Sequence, residues 1–314
     1  MHRDTIHRIN GNDYTADNRM KRREFINTVS KAAGGIALTS IPFIAEAHNL
    51  TNATQPTVGN IMDLFIKKVP GAPFTDTVDT LKAGNRDIKV TGVVTTMFAT
   101  VAVIRKTIDL GANFIIAHEP TFYNHRDEVD WLQEDDVYKY KMILLQQHNI
   151  AVWRNHDYIH SLTADGVYAG VLDQLEWKQY STGNNILQVP GIKLRSLIDH
   201  VKNKLGIQQV RYIGDLNQLC PKILLMPGAA GGRAQISAIS KNKPDVLVCG
   251  EIQEWETAEY VRDARAEGRS LALVVLGHIA SEEPGSIFMA NWIKNNIPSI
   301  TVTHVTPGNS LSFA

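Results

Sequence analysis

The chain has 314 residues, of which 44% are hydrophobic and 20% charged, and its 32 basic and 32 acidic side chains leave no formal net charge. This length can bury one or two cores, the balanced charge gives no reason to expect a nucleic-acid partner, and two cysteines are too few for a disulfide scaffold. Cys249 closes the apolar run 246–248, which favours a buried free thiol. A bridge between Cys220 and Cys249 in an oxidising compartment stays open.

The first 47 residues contain the parts of an export signal. A twin-arginine pattern begins at 21–23, a moderately apolar stretch covers 29–44, and an A-x-A cleavage signal follows at 45–47. The apolar stretch is short and interrupted, so we expect no stable membrane anchor. We predict a twin-arginine signal peptide over 1–47 and a periplasmic or exported protein. The alternative is an amphipathic first helix that contains two arginines.

A polar linker over 48–56 leads into the first group of predicted elements, which occupies 57–190. The spacing of Ile61, Leu64 and Phe65 predicts a helix over 58–68. Strands and helices then alternate along the chain. The predicted strands are 88–94, 114–117 and 150–153, and the predicted helices are 101–110 and 138–148. This alternation indicates a mainly parallel sheet covered on both faces.

The second group, 191–314, continues the same pattern. Its predicted helices are 194–205, 234–240, 257–267 and 286–295, and its predicted strands are 209–213, 222–226, 246–249, 271–276 and 300–305. A glycine-rich turn at 227–232 lacks the Lys-Ser/Thr of a phosphate-binding P-loop, and a tight strand-to-helix turn explains it equally well. We therefore predict an α/β fold of two lobes, 57–190 and 191–314, with mainly parallel sheets.

Three short segments place imidazoles and carboxylates directly after predicted strands: 118–119, 156–160 and 278–282. Ligands of open α/β sheets gather just beyond the carboxyl ends of the strands. Nitrogen and oxygen donors together suit Zn, Fe, Mn or Co better than Ca or Mg. The sequence therefore predicts a metal site at the carboxyl ends of the strands, between the lobes.

The spacing within two of these segments predicts convergence. His278 and Glu282 are four residues apart, and the same spacing separates His156 from His160. Residues at this spacing lie on one side of a helical turn. Each pair is therefore expected to direct its side chains toward one point.

The adjacent pair His118 and Glu119 is expected to diverge, because neighbours in an extended segment point to opposite sides. Each would then bind a different ion of a pair. Pro284 suits the first turn of the helix that follows. Other interpretations stay open, since 282–283 can be acidic residues favoured at a helix N-terminus, and His156 can orient a backbone carbonyl.

These motifs resemble those of the NIF-three-like family, dinuclear-metal-centre proteins often named GTP cyclohydrolase 1 type 2 homologues. Residues 111–120 are similar to the family's strand ending in His-His-Pro, and 156–160 stand where it has His-Thr-x-x-Asp. Residues 227–232 and 245–251 resemble its glycine-rich turn and its Thr-Gly-Glu/Asp segment. Residues 277–282 are similar to Gly-His-x-x-Thr-Glu, the most specific match. The resemblance covers nearly the whole mature chain.

The resemblance implies two divalent metal ions, Zn, Fe, Mn or Co, held by five ligands: His118, Glu119, His160, His278 and Glu282. Glu119 stands where a second His is usual, and His160 stands where Asp is usual. The two exchanges are opposite, so three imidazoles and two carboxylates are retained. We therefore expect a rearranged site that still binds two ions.

The resemblance also implies a toroidal homo-hexamer. Two neighbouring ions lower the pKa of a shared water, so we expect a metal-dependent hydrolase acting on a small anionic substrate. Glu251 or His156 would serve as the general base or orient a ligand, and Asp157 is a weaker candidate. The alternative is a non-catalytic metal-binding or metal-sensing oligomer. A third interpretation is a structural α/β protein whose histidines fill the core.

Overall fold

The computed structural model describes residues 55–312. The predicted signal peptide and most of the predicted linker lie outside these residues and remain predictions. The α-helices of the described part are α1 Val58–Ile66, α2 Val101–Asp109, α3 Asp136–Gln147, α4 Asp157–His160, α5 Gly166–Gln174, α6 Leu194–Leu205, α7 Gly232–Asn242, α8 Glu259–Ala266 and α9 His278–Asn296. Within 55–312, no helix is both long and apolar enough to cross a bilayer.

The strands form two five-stranded sheets, ordered β1-β4-β3-β2-β10 and β5-β7-β8-β9-β6. Their bounds are β1 Leu81–Ala83, β2 Val93–Thr96, β3 Phe114–Ala117, β4 Ala151–Arg154, β5 Ile186–Gln188, β6 Arg211–Ile213, β7 Lys222–Met226, β8 Val246–Cys249, β9 Ala272–Val275 and β10 Val302–His304. The pairs β10–β2, β2–β3, β3–β4, β7–β8 and β8–β9 are parallel. The edge strands β1, β5 and β6 pair antiparallel. The predicted mixed α/β fold with two mainly parallel sheets is thus confirmed.

The division of the chain at residue 190 does not coincide with the boundary between the sheets. β5 ends before residue 190 but pairs with β7 in the second sheet. β10 lies near the end of the chain but pairs with β2 in the first sheet. α9 connects β9 of the second sheet to β10 of the first, so the chain returns to its starting sheet.

The two sheets share one hydrophobic core between them. Phe114 and Ile116 of β3, Val246 and Val248 of β8, and Met289 of α9 belong to the same buried cluster. The opposite face of the first sheet packs against α2 and α3, and that of the second sheet against α7 and α8. Both faces of the central strands are therefore buried. This explains why these strands are continuous apolar runs in the sequence.

The helix that carries His278 begins earlier than predicted. α9 starts at His278, and Pro284 lies inside it, so the expectation that Pro284 opens this helix is wrong. α9 packs very closely on α5, where a Cβ at Gly170 would lie 2.4 Å from the carbonyl oxygen of Pro284. Burial of this face outweighs the helix-breaking tendency of an interior proline. His278 and Glu282 consequently share the first two turns of α9.

Candidate metal centre

Seven side chains singled out in the sequence meet at the carboxyl ends of the parallel strands. β3 is followed by 118–119, β4 by the short helix α4, and β9 by the start of α9. The members of this cluster are His118, Glu119, His156, His160, Glu251, His278 and Glu282. The three sequence segments thus contribute to one cluster.

One half of the cluster combines imidazoles with carboxylates. Nε2 of His278 lies 2.9 Å from Oε2 of Glu282 and 3.1 Å from Oε1 of Glu119. Nε2 of His118 lies 3.4 Å from the same Oε2 of Glu282. Ligand atoms of His118, Glu119 and Glu282 all fall within 4.8 Å of one another, so these three can hold one metal ion.

The expected divergence of His118 and Glu119 is wrong. β3 ends at Ala117, and the backbone bends at both following residues instead of remaining extended. The alternation of side chains holds only while the strand continues. The bend therefore brings both side chains to the same cluster.

The other half of the cluster consists of three imidazoles. Ligand atoms of His118, His156 and His160 lie within 4.8 Å of one another. The ring centroids are 4.9 Å apart for His118 and His156, and 5.0 Å apart for His156 and His160. Both groups of three share His118. His156, considered in the sequence as a base or orienting residue, lies among the candidate ligands.

The imidazoles share one hydrogen-bonding arrangement, in which Nδ1 faces an oxygen acceptor. The distances are 3.2 Å from His118 to the carbonyl oxygen of Asn155, and 2.9 Å each from His156 to Asp157, from His160 to Asp165 and from His278 to Glu251. We assign the hydrogen to Nδ1 because these oxygens only accept. Nε2 of His118, His156 and His160 then remains available to a metal ion, as in metal sites whose histidines are oriented by oxygen partners. Nε2 of His278 donates to Glu119 and Glu282 in this structure and must lose its proton before it can bind a metal ion.

His118 gives the clearest test of whether these residues fit a metal ion. Its Nδ1 donates to a carbonyl, so the neutral ring carries a lone pair on Nε2, and this atom is buried without a hydrogen-bond partner. It faces a carboxylate oxygen of Glu282 at 3.4 Å. Two electron-pair donors facing each other in a buried place are stabilised by a cation between them. The residues present therefore fit a divalent cation.

The electrostatics of the cluster favour ionised carboxylates. Burial opposes the charge on Glu119, but the hydrogen bond from His278 and the neighbouring imidazoles outweigh it and lower its pKa to about 2. Burial likewise opposes the charge on Glu282, but the hydrogen bond from His278 holds its pKa well below the usual range. Burial also opposes the charge on His278, yet its hydrogen bonds to Glu119 and Glu282 raise its pKa to about 11.

Arg154 contacts two members of the cluster and was not singled out from the sequence. It is fully buried, its Nη2 lies 3.4 Å from Oε2 of Glu119, and its Nε donates to the carbonyl oxygen of His118 at 3.3 Å. It also contacts Asp127, which pairs with Lys82 at 3.2 Å. Arg154 therefore compensates the negative charge of Glu119 and fixes one of its oxygens. The available signal was a charged residue closing the apolar run 151–153.

Two further acids orient the histidines of α4, and both were missed. Asp79 accepts hydrogen bonds from the backbone N–H groups of residues 156, 157 and 158, and burial raises its pKa. Asp165 holds His160 through Oδ2 and caps α5 through Oδ1, which accepts from the N–H groups of Val167 and Tyr168. The Asp-Gly pair at 165–166 was the local signal for the second of these.

The glycine-rich turn allows close approach to Glu282. Gly228 has φ +66°, and a Cβ there would lie 2.1 Å from Oε1 of Glu282. Its N–H donates to Oγ of Ser281 at 2.9 Å. Of the two interpretations of 227–232, the geometry favours the tight strand-to-helix turn.

Comparisons with known proteins agree with this fold. The family model Duf34/NIF3 (NGG1p interacting factor 3) matches residues 60–308. A Clostridium acetobutylicum protein named GTP cyclohydrolase 1 type 2 homolog is 24% identical over 227 residues, which cover 68% of this chain and 80% of that protein. The solved structure of a Bacillus cereus protein related to NIF3 matches with a TM-score of 0.68 at 15% identity, covering 83% of this chain and 100% of its own. A Staphylococcus aureus hypothetical protein matches with a TM-score of 0.66 at 20% identity, covering 82% and 100%. At these identities, the two structures show a shared fold.

Proposed function

Because the chain belongs to the Duf34/NIF3 family, we propose that it is a metal-dependent hydrolase of a small anionic substrate. In this proposal, two divalent ions (Zn, Fe, Mn or Co) are held by five residues: His118, Glu119, His160, His278 and Glu282. The observation that carries the proposal is the unpartnered, buried Nε2 of His118 facing the carboxylate of Glu282. The relatives' name supports hydrolysis as the class of reaction. An exported protein would meet little GTP, so GTP is not carried over as the substrate.

Bound divalent ions would supply positive charge for the anionic group of the substrate and lower the pKa of an attacking water. Glu251 is suited to accept the proton of that water. One of its oxygens holds Nδ1 of His278 at 2.9 Å, and its side chain is 54% exposed, so the other oxygen faces solvent. Asp157 and Asp165 keep the rings of His156 and His160 in place.

The test is metal content and turnover measured on the same protein. The mature chain is stripped, reconstituted with Zn, Mn, Fe(II) or Co, analysed for metal, and screened against phosphomonoesters, phosphodiesters, nucleotides and cyclic amides. We expect two ions per chain and turnover that is lost in the His278→Ala, Glu282→Gln variant. The matched control is a variant with the corresponding substitutions at the exposed residues His148 and Glu267, and its metal content and turnover should equal those of the wild type.

Two outcomes contradict the proposal in different ways. Less than one ion per chain after reconstitution refutes the metal site. Two ions per chain without turnover in any metal form refute the hydrolase and support the non-catalytic metal-binding or metal-sensing assembly.

We also propose that the protein is a homo-oligomer, a hexamer by resemblance. Large apolar side chains on α3 support this, since Val137, Tyr140 and Ile143 are exposed by 42–56% and an interface would cover them. Light scattering on the mature chain tests the proposal, and a monomer at micromolar concentration would overturn it.

Export by the twin-arginine route is a further proposal, supported by the sequence pattern of 1–47. Cell fractionation of a chain with Arg22→Lys and Arg23→Lys tests it. The unaltered chain should reach the periplasm and the variant should remain in the cytoplasm, whereas equal distribution of both would contradict export by this route.

A further inference from the structure

A cavity of about 530 Å³ borders the cluster of candidate ligands, because Glu119 is one of its wall residues. Its walls include Phe98, Tyr123, Ile279 and Pro307. The volume is in the range of small-molecule sites, which combine apolar walls with a few polar groups. The wall residue Ile279 follows His278 directly, so a second segment of the proposed metal centre lies next to the cavity.

Lys141 of α3 places a charged group in the wall of this cavity. The residue is 4% exposed, and its Nζ donates to the carbonyl oxygen of Thr121 at 2.6 Å. The carboxylate that acts on its charge is Asp127, which already pairs with Lys82 at 3.2 Å and Arg154 at 3.6 Å. One backbone acceptor leaves two of the three N–H groups of the ammonium for other partners.

Packing alone does not account for a buried ammonium at this position. A buried charge without a paired carboxylate destabilises the fold, and burial lowers the pKa of Lys141 to about 8. The aromatic rings of Phe122 and Tyr123 lie 5.6 and 5.3 Å from Nζ and offset part of this cost. A ligand anion in the cavity would offset more.

The cavity wall next to Lys141 contains a strained aromatic residue. Tyr123 has φ +65°, a conformation that is an outlier for a bulky side chain, and it is 56% exposed. Asn124 holds this loop, because its Nδ2 donates to the carbonyl oxygens of Phe122 and Glu128 at 3.1 and 2.8 Å. Backbone strain of this kind is concentrated at ligand sites. With this backbone conformation, Tyr123 lines the cavity.

We propose that this cavity is the substrate chamber of the hydrolase and that it takes an anion bearing a planar ring. Lys141 binds the anionic group, and Phe98 and Tyr123 pack against the ring. The assignment of the reaction to this chamber rests on the proposed function, whereas the binding of a ring-bearing anion does not require turnover.

The experiment is calorimetric titration with phenylphosphonate, which combines a ring with an anion and has no ester to hydrolyse. Inorganic phosphate and benzyl alcohol are the comparison ligands, since each retains one of the two features. We expect phenylphosphonate to bind about tenfold more tightly than either, in metal-loaded and metal-free protein alike. Lys141→Met should weaken it about tenfold. Lys139→Met, which removes an exposed ammonium of the same helix, should leave it unchanged.

A second variant keeps the proposal testable if Lys141→Met fails to fold. Tyr123→Ala truncates an exposed side chain and should weaken phenylphosphonate several-fold more than it weakens inorganic phosphate. The proposal is overturned if wild-type protein binds inorganic phosphate as tightly as phenylphosphonate, or if Lys141→Met binds phenylphosphonate as the wild type does. Absence of turnover together with Lys141-dependent binding would overturn the hydrolase and leave the binding site standing.

Discussion

Asp165 performs two tasks with two oxygens, and a single substitution should separate them. Oδ1 caps α5 by accepting from the N–H groups of Val167 and Tyr168, at 2.9 and 3.0 Å. Oδ2 accepts from Nδ1 of His160 at 2.9 Å. In Asp165→Asn, the amide oxygen can still cap the helix, but the amide nitrogen, a donor, then faces His160. The hydrogen of this ring would move to Nε2, the atom that the proposed site uses as a ligand.

The structure sets the expected magnitudes. Loss of an acceptor that orients a metal-binding histidine typically costs about 10–100-fold in metal affinity, or about 1.4–2.7 kcal/mol. Asn and Asp are similarly good N-caps, and the ion pair of His160 with Asp165 is partly exposed. In the metal-free protein, Asp165→Asn should therefore lower the free energy of unfolding by no more than about 1 kcal/mol. Asp165→Ala should lose the cap as well, about 1 kcal/mol more.

Two measurements check this pair of variants. Urea unfolding in the presence of a chelator gives the stability of the metal-free protein, and competition titration with a chromophoric chelator gives the metal affinity. Wild-type metal affinity in Asp165→Asn would refute the role assigned to the ring of His160. Equal loss of stability in both variants would refute the role assigned to the cap.

Two further predictions concern the neighbourhood of the site. Gly228→Ala should lower metal affinity at least tenfold, because the added Cβ displaces the carboxylate of Glu282. Gly191 has the same φ of +66° and no atom within 4 Å of an added Cβ, so Gly191→Ala should lower stability only. Equal metal affinities of the two variants would contradict this prediction. The pKa of Lys141 is about 8 in the folded state and 10.5 for an unperturbed lysine, so between these pH values the unfolded state holds a proton that the folded state has released. The difference in unfolding free energy between the wild type and Lys141→Met should therefore rise by up to about 3 kcal/mol over this range. The full cost of the buried charge is present below about pH 8, and urea titrations at pH 7.5 and 10 measure the difference. Lys139→Met, which removes an exposed ammonium of the same helix, is the matched control.

The central strands could be predicted because their burial leaves a direct mark in the sequence. β3, β7 and β8 have the bounds predicted from their apolar runs, 114–117, 222–226 and 246–249. These strands are covered on both faces, so nearly every residue must be apolar, and polar residues mark where they end. The position of the candidate ligands followed from the same signal.

Short helices and edge strands were harder to predict from the sequence. β1 and β5 have three residues each, and α4 has four, so none shows a hydrophobic period. α5 was missed although Asp165 and Gly166 mark its start. The start of α9 was misplaced because a proline usually opens a helix, whereas here tertiary packing against α5 keeps Pro284 in the interior.

The orientation of the ligands depends on contacts that have no local pattern. Asp79 is separated by 77 to 79 residues from the three N–H groups that it binds. Arg154 reaches Glu119 across two neighbouring strands. Sequence spacing therefore indicated which donors gather at the strand ends, but the hydrogen bonds that direct each ring required the coordinates.

The return of the chain to its first sheet has a consequence for biosynthesis. Until the ribosome has synthesised β10 at 302–304, β2 has an open edge, because β10 is its neighbour in the sheet. The wall residues of the cavity near Pro307 emerge later still. A nascent or truncated chain that stops short of β10 therefore keeps an unpaired strand edge that can self-associate.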